Sequence, residues 1–241
     1  FDTFYDWWKN IDKTIFLIIS LLFFLGLFFS LVSTSIIASD RLNTNSYYFF
    51  LKHLIFVSIG IFLILILSLL DQKILINVSV LLFLITLISL FLVPLIGVEV
   101  KGSKRWLDIG LLPRFQPIET LKPFFVIVIS LIISLEKKNL YLKYLFSAAV
   151  LLPIIVLLLS QPDLGQTLLI IFVWLAIIFV SGINLFLFAI SLSLVCLLTL
   201  ILVFLVPKFE YIKIRLMSFL DTSRGNNYQA DRASDAISSG G

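Results

Sequence analysis

Seven runs of apolar residues, near 14–37, 53–70, 74–96, 120–136, 143–160, 165–182 and 184–206, are separated by short polar connections. None keeps the strict apolar/polar alternation of a half-buried strand, and each has the roughly 17–25-residue length of a helix that crosses a bilayer. In lipid only helices and closed barrels satisfy their own backbone polar groups. Without alternation a barrel is not expected. The pattern therefore predicts an all-α fold, a polytopic integral membrane bundle of about seven transmembrane helices in one membrane domain over 1–241.

Composition agrees and narrows the class. At 61% hydrophobic and 13% charged residues, the chain cannot stay soluble as one globule. The first run is too long for a signal-peptide core and has no small-residue cleavage site behind it, so it is read as a retained span. The chain starts on Phe1 and stops at Gly240-Gly241, just after a polar stretch. It is read as trimmed, with seven helices as a minimum. Cys196 is alone, which excludes an internal disulfide and a cysteine metal site. His53, the single histidine, stands where the second run begins and is read as an interfacial side chain. No metal held by protein nitrogen or sulfur is expected, and there is no internal repeat or Gly-rich phosphate loop.

Counting crossings puts the connections near 38–52, 97–119, 161–164 and 207–241 on one face. That face holds Arg41, Lys101, Lys104, Arg105, Arg114, Lys208, Lys213, Arg215, Arg224 and Arg232. The charge rule for loops, applied alone, would make it cytoplasmic. A face that holds an anionic ligand can break that rule, and the net charge of +4 fits an acidic lipid or phosphate partner.

Three polar knots interrupt the runs on this face. Gly102-Ser103-Lys104-Arg105-Trp106-Leu107 combines a turn, two cations and an indole. It suits either a snorkelling interface belt or a phosphate-binding fork. Gln116-Pro117-Ile118-Glu119-Thr120-Leu121-Lys122 opens the fourth run, with proline at a first-turn position and Glu119 and Lys122 three apart on one helical face. Gln161-Pro162-Asp163-Leu164-Gly165 is a turn with Asp163 as a helix cap, or part of a site. Farther on, Phe209, Ile212, Leu216 and Phe219 recur at helical spacing, as in a helix lying in the membrane interface or one packed on its neighbours.

These segments, with the late Arg215-x-x-x-Phe219-Leu220-Asp221, Tyr228-Gln229 and Ala236-Ile237-x-x-Gly240-Gly241, resemble in order and spacing the SEDS family of peptidoglycan polymerases. Ser33-Thr34-Ser35 with Ala38, and Phe49-x-x-Lys52-His53, resemble its FtsW-like division branch more than its RodA-like elongation branch. The resemblance implies ten spans in the whole protein, so this chain would be incomplete at its C-terminus. It places the basic face outside the bacterial inner membrane, facing the periplasm at the division septum. Residues 207–241 would form an extracytoplasmic loop with an interfacial helix. Two departures stand out: Ile118 replaces the usual serine, and the stretch after Asp221 supplies no second acid before Tyr228-Gln229.

The activity so implied is polymerisation of lipid II into glycan strands by inverting glycosyl transfer, with the growing chain on undecaprenyl pyrophosphate as donor. A carboxylate must take the acceptor's proton and cations must stabilise the departing pyrophosphate. Asp221 is the first choice of base and Asp231 the alternative. Lys104, Arg105, Trp106, Glu119, Lys122, Gln161, Asp163 and Arg215 are the candidates for substrate and pyrophosphate binding. A divalent cation, Mg or Mn, held by oxygen ligands could share the charge. Implied partners are lipid II, a monofunctional class B penicillin-binding transpeptidase, division complex proteins and the membrane, with no nucleic acid. Two other classes stay open: a lipid II flippase, which would favour ionisable groups at mid-depth, and a non-catalytic divisome scaffold.

Overall fold

The structure, a computed structural model, describes residues 5, 7–9, 11–34, 47–100, 103–108, 110, 114–136, 139–220 and 228–239. Its elements in chain order are helix α1 (Lys13–Phe29) with a π-helical turn at Ser30–Thr34, α2 (Tyr48–Ser68), α3 (Gln72–Ile96), strands β1 (Val98–Val100) and β2 (Ser103–Trp106), and α4 (Pro117–Ser134). They continue with α5 (Leu140–Ser160), α6 (Leu164–Val180), α7 (Leu185–Leu205), a 3-10 turn at Pro207–Phe209, α8 (Glu210–Leu220) and α9 (Tyr228–Ser238). The seven long helices coincide with the seven apolar runs. Six of them are long and apolar enough to cross a membrane. The seventh, α6, is 17 residues long, about 25 Å at 1.5 Å per residue, just short of a hydrocarbon core of roughly 30 Å. The expectation of about seven transmembrane helices is met, among the described residues, by six candidate spans and a seventh, shorter apolar helix.

The chain divides into two compact units, Phe1–Ile76 and Asn77–Gly241. In the first, Asp12 caps α1 by accepting from the N–H groups of Thr14 and Ile15 at 2.9 and 3.1 Å. Gly26 lets α1 pass close to His53 of α2, where a Cβ would lie 3.9 Å from the ring. His53 is half-buried at this contact. The indole N–H of Trp7 donates to Ser68 Oγ at 2.9 Å.

The second unit holds the core. Ile118, Leu121, Phe125 and Ile129 form one buried stripe of α4, at the three- and four-residue spacing of a helix face. They pack against Leu151, Ile154 and Leu158 of α5, Ile170 of α6, and Phe83 and Leu90 of α3. Local signals set the ends of these helices. Pro117 starts α4; Asn139, Asp163 and Asn184 cap α5, α6 and α7 with their side-chain oxygens. Gly182, at φ +88°, supplies the left-handed residue that stops α6. Within the core Trp174 donates its indole N–H to Ser147 Oγ at 2.9 Å, a polar tie between α5 and α6 of the kind that joins helices in lipid. The free Cys196 is exposed on α7.

Two features depart from the sequence expectation, and a third takes up one of its alternatives. The basic loop after α3 is an antiparallel hairpin, with Val98 opposite Trp106 and Glu99 opposite Lys104, extended by a bridge between Leu107 and Phe115. The segment after α7 forms two helices where one was expected, because residues 228–238 make an amphipathic helix of their own. The interfacial stretch is also partly a packed one: Phe209 is buried with Leu164 and Val203.

Candidate functional site

The turn Ser160–Asp163 between α5 and α6 is the meeting point of the second unit. A helix ends with carbonyls that lack partners, and cations near that end meet both the free oxygens and the negative end of the dipole. Here the donors come from distant segments. Lys208 Nζ donates to the Ser160 carbonyl at 2.7 Å. Arg105 donates from Nε to the Gln161 carbonyl at 3.3 Å and from Nη2 to the Pro162 carbonyl at 2.6 Å. The hydroxyl of Tyr211 donates to the same Pro162 oxygen at 3.1 Å.

Asp163 carries the charge that answers Arg105. Its Oδ2 lies 3.4 Å from Arg105 Nη1 and accepts from Gln116 Nε2 at 3.4 Å. Its Oδ1 accepts from the Gln166 backbone N–H at 3.3 Å, the capping bond that starts α6. Asp163 is buried while the guanidinium is half-exposed. One flat fork thus fixes the hairpin to the turn through three oxygens, which lysine could not do.

Beside this pair lies a second group. Lys122 Nζ is 2.5 Å from Glu119 Oε2 and 3.1 Å from Gln166 Oε1. Gln166 Nε2 donates to Glu119 Oε1 at 2.6 Å. The two groups are joined at Gln166, whose backbone belongs to the first and whose side chain belongs to the second.

The structure thus brings together Arg105, Gln161, Asp163, Glu119 and Lys122. Lys104 is exposed at the hairpin and Trp106 is half-buried in it. Gln161 is buried, and its Nε2 is the one buried side-chain nitrogen or oxygen without a hydrogen bond among the described residues. Asp231 is exposed on the first turn of α9. Asp221 lies outside the described residues, and Arg215 is placed only by its backbone in α8. Farther along the loop, Arg114 Nε donates to Asp108 Oδ2 at 2.8 Å. That bond, helped by the Gly110 N–H, holds the Asp108 carboxyl below the usual carboxylate range.

Sequence reasoning missed Gln116 and Gln166 as members of the site. Gln116 stood inside a quoted segment, and its place just before Pro117 put it at the mouth of α4. Gln166 had no periodic or motif signal of its own. Among the described residues no three His, Cys, Asp or Glu side chains converge as a metal cluster.

Comparison with known proteins adds a family to this geometry. The sequence model of the cell cycle proteins that groups FtsW, RodA and SpoVE matches residues 12–241. The probable peptidoglycan glycosyltransferase FtsW of Coxiella burnetii is 33% identical over 222 residues, covering 87% of this chain and 57% of that protein. The corresponding protein of Buchnera aphidicola is 32% identical over 220 residues, covering 87% of this chain and 60% of its own. The chain therefore spans little more than half the length of these relatives. Among solved structures, a peptidoglycan synthase complex described as coordinating polymerization and crosslinking superposes with a TM-score of 0.73 at 24% identity, over 95% of this chain and 65% of that one. Thermus thermophilus rod shape determining protein RodA superposes with a TM-score of 0.64 at 23% identity, over 79% and 60%. Both share the fold.

Proposed function

Because the chain belongs to the FtsW, RodA and SpoVE family of cell cycle proteins, we propose that its whole protein is a peptidoglycan glycosyltransferase of the division branch. It polymerises lipid II at the outer face of the bacterial inner membrane, at the septum, with a class B penicillin-binding transpeptidase as partner. The names of the relatives support this activity. The observation that carries the reading is the knot of Arg105, Asp163, Glu119, Lys122 and Gln166 at one end of the helical core.

In the proposed reaction the sugar hydroxyl of lipid II attacks the anomeric carbon of the growing glycan, whose undecaprenyl pyrophosphate departs. The hydroxyl proton goes to a carboxylate, Asp221 by first choice and Asp231 otherwise. Lys104, Lys122, Arg105 and Arg215 are the candidates to stabilise the negative charge that grows on the leaving group, and fixed cations at that point lower the barrier. Arg105 is already held by Asp163 and two carbonyls, so its first task is to seat the hairpin that carries Lys104 and Trp106. Gln161 keeps a buried amide donor available beside it. A Mg or Mn ion, if used, would rest on substrate phosphates and one or two carboxylates.

The flippase alternative calls for ionisable groups at mid-depth. In the seven apolar helices of this chain every Asp, Glu, Lys or Arg lies within two turns of an N-terminus. That distribution favours chemistry at the surface. The deciding measurement is glycan synthesis by the purified full-length protein with its transpeptidase and lipid II. Strands that lengthen support the polymerase, whereas transfer of lipid II between leaflets with no polymer would replace it by a flippase. Neither activity would leave the scaffold reading.

A further inference from the structure

We propose that Gln166 is a positioning residue of this site: its carboxamide locks Glu119 and Lys122 into one neutral unit and aims the remaining N–H of Lys122 at an anionic oxygen of the substrate. The proposal rests on the glycosyltransferase reading for its substrate class, a lipid-linked pyrophosphate, and on the geometry alone for the rest.

Glu119 and Lys122 are three residues apart on the first turns of α4. Left to themselves such pairs are loose, contributing a few tenths of a kcal/mol and exchanging partners with water. Here a third group closes the ring. The amide nitrogen of Gln166 donates to Glu119 Oε1 at 2.6 Å, and its oxygen accepts from Lys122 Nζ at 3.1 Å. Lys122 reaches the other carboxylate oxygen, Oε2, at 2.5 Å.

The chemistry of the partners fixes the amide's orientation. An ammonium only donates and a carboxylate only accepts, so turning the amide over would break both bonds. The backbone of Gln166 is anchored too, since its N–H is held by Asp163 Oδ1 at 3.3 Å. The ring therefore sits at a fixed place relative to Arg105 and the hairpin.

Counting donors gives the consequence. Lys122 has three N–H groups, and among the described residues two are engaged, by Glu119 and Gln166. Both carboxylate oxygens of Glu119 are occupied. One charged N–H is left, on a side chain that can no longer swing freely. Such a donor suits an oxygen whose charge increases as the reaction proceeds, because its orientation has already been fixed.

Two substitutions test this in the full-length protein. Gln166→Leu removes both bonds. Gln166→Glu keeps an acceptor for Lys122 but sets a carboxylate against Glu119, and two carboxyl groups that close share one proton. The other charges near this position are Lys122 itself, Asp163 and, through Asp163, Arg105. The packed helices α5 and α7 bring only Lys143, at the far end of α5. In its shared-proton form the introduced carboxyl donates to Glu119 as the amide did, so Gln166→Glu should work at acidic pH and fail as pH rises.

The expected result is a fall in kcat of about tenfold for Gln166→Leu with KM for lipid II changed by less than about twofold. Gln166→Glu should show a declining pH profile from about pH 5 to about pH 8.5 where the natural protein does not. An unchanged kcat in Gln166→Leu, or a natural pH profile in Gln166→Glu, overturns the proposal. Binding of undecaprenyl pyrophosphate in detergent, measured in parallel, separates the two readings. If the natural protein binds this probe but makes no polymer, the polymerase reading fails, and the pH dependence of binding in Gln166→Glu decides the positioning role. If the natural protein does not bind it, both are overturned.

Discussion

A buried carboxylate keeps its charge only while cations and N–H groups surround it, and Asp163 has three such donors, from Arg105, Gln116 and the Gln166 backbone. Removing the guanidinium leaves this acid without its cation and the Gln161 carbonyl without the donor described above. Cutting a fully buried pair costs about 3–5 kcal/mol. Because the Arg105 side chain keeps 28% of its exposure, the expected loss for Arg105→Ala is nearer to about 2 kcal/mol. Asp163→Asn retains an oxygen to cap α6 and should cost about 1 kcal/mol, while Asp163→Ala loses the cap as well. The ranking to be measured is the thermal midpoint in detergent, lowest for Asp163→Ala and Arg105→Ala and intermediate for Asp163→Asn. Equal midpoints for all three would mean that the turn does not depend on this pair. Sequence alone placed Arg105 and Asp163 on one face. It could not pair them, since they lie 58 positions apart and the sequence offers Arg105 a nearer acid in Asp108.

At the scale of elements, the helices were legible because lipid-facing and core-facing residues alike are apolar, which makes each span a long uninterrupted signal. Boundaries moved by a few residues where capping groups decided them, as at Asn139 and Asp163. The hairpin was less visible: Val98 and Val100 alternate with Glu99, but three residues carry little periodicity beside the charges that follow. Helix α9 went unread for a different reason. Its apolar positions are mostly alanines, Ala230, Ala233 and Ala236, spaced every third residue within a polar stretch. The acids of this region carry the next test. Asp231 stands on the exposed first turn of α9, and Asp221 precedes that helix in the chain. Asparagine keeps the shape of aspartate and abolishes the base, so Asp221→Asn in the full-length protein should slow polymerisation about 10²-fold or more while lipid II binding survives. Loss in Asp231→Asn with activity retained in Asp221→Asn would move the role to Asp231, and activity in both would exclude a base from this segment.

At the scale of the molecule, the second unit has two distinct ends. Arg105 and Lys208 tie the hairpin and the start of the post-α7 segment to the turn at Ser160–Asp163. At the other end Tyr144 and Ser181 share a hydrogen bond of 3.1 Å across the start of α5 and the stop of α6. Counting crossings from the sequence had already separated these connections, because parity needs only the number of spans. Which end faces outward is a separate question, on which loop charge and family resemblance point in opposite directions. A cation whose task is to hold a carbonyl, a carboxylate or a phosphate is not free to act as a retention signal, and Arg105 and Lys208 are both engaged in this way. The outward placement of the hairpin is a proposal that rests on that argument and on the proposed use of an extracytoplasmic lipid. A cysteine at Ser103, half-exposed on β2, reports it directly once the exposed thiol of Cys196 is removed by Cys196→Ala. In intact spheroplasts an impermeant maleimide should label this variant of the full-length protein as fully as it does after lysis. Labelling that appears only after lysis would place the hairpin, Lys104 and the Arg105–Asp163 pair in the cytoplasm, and would end the proposal of polymerisation at the outer face.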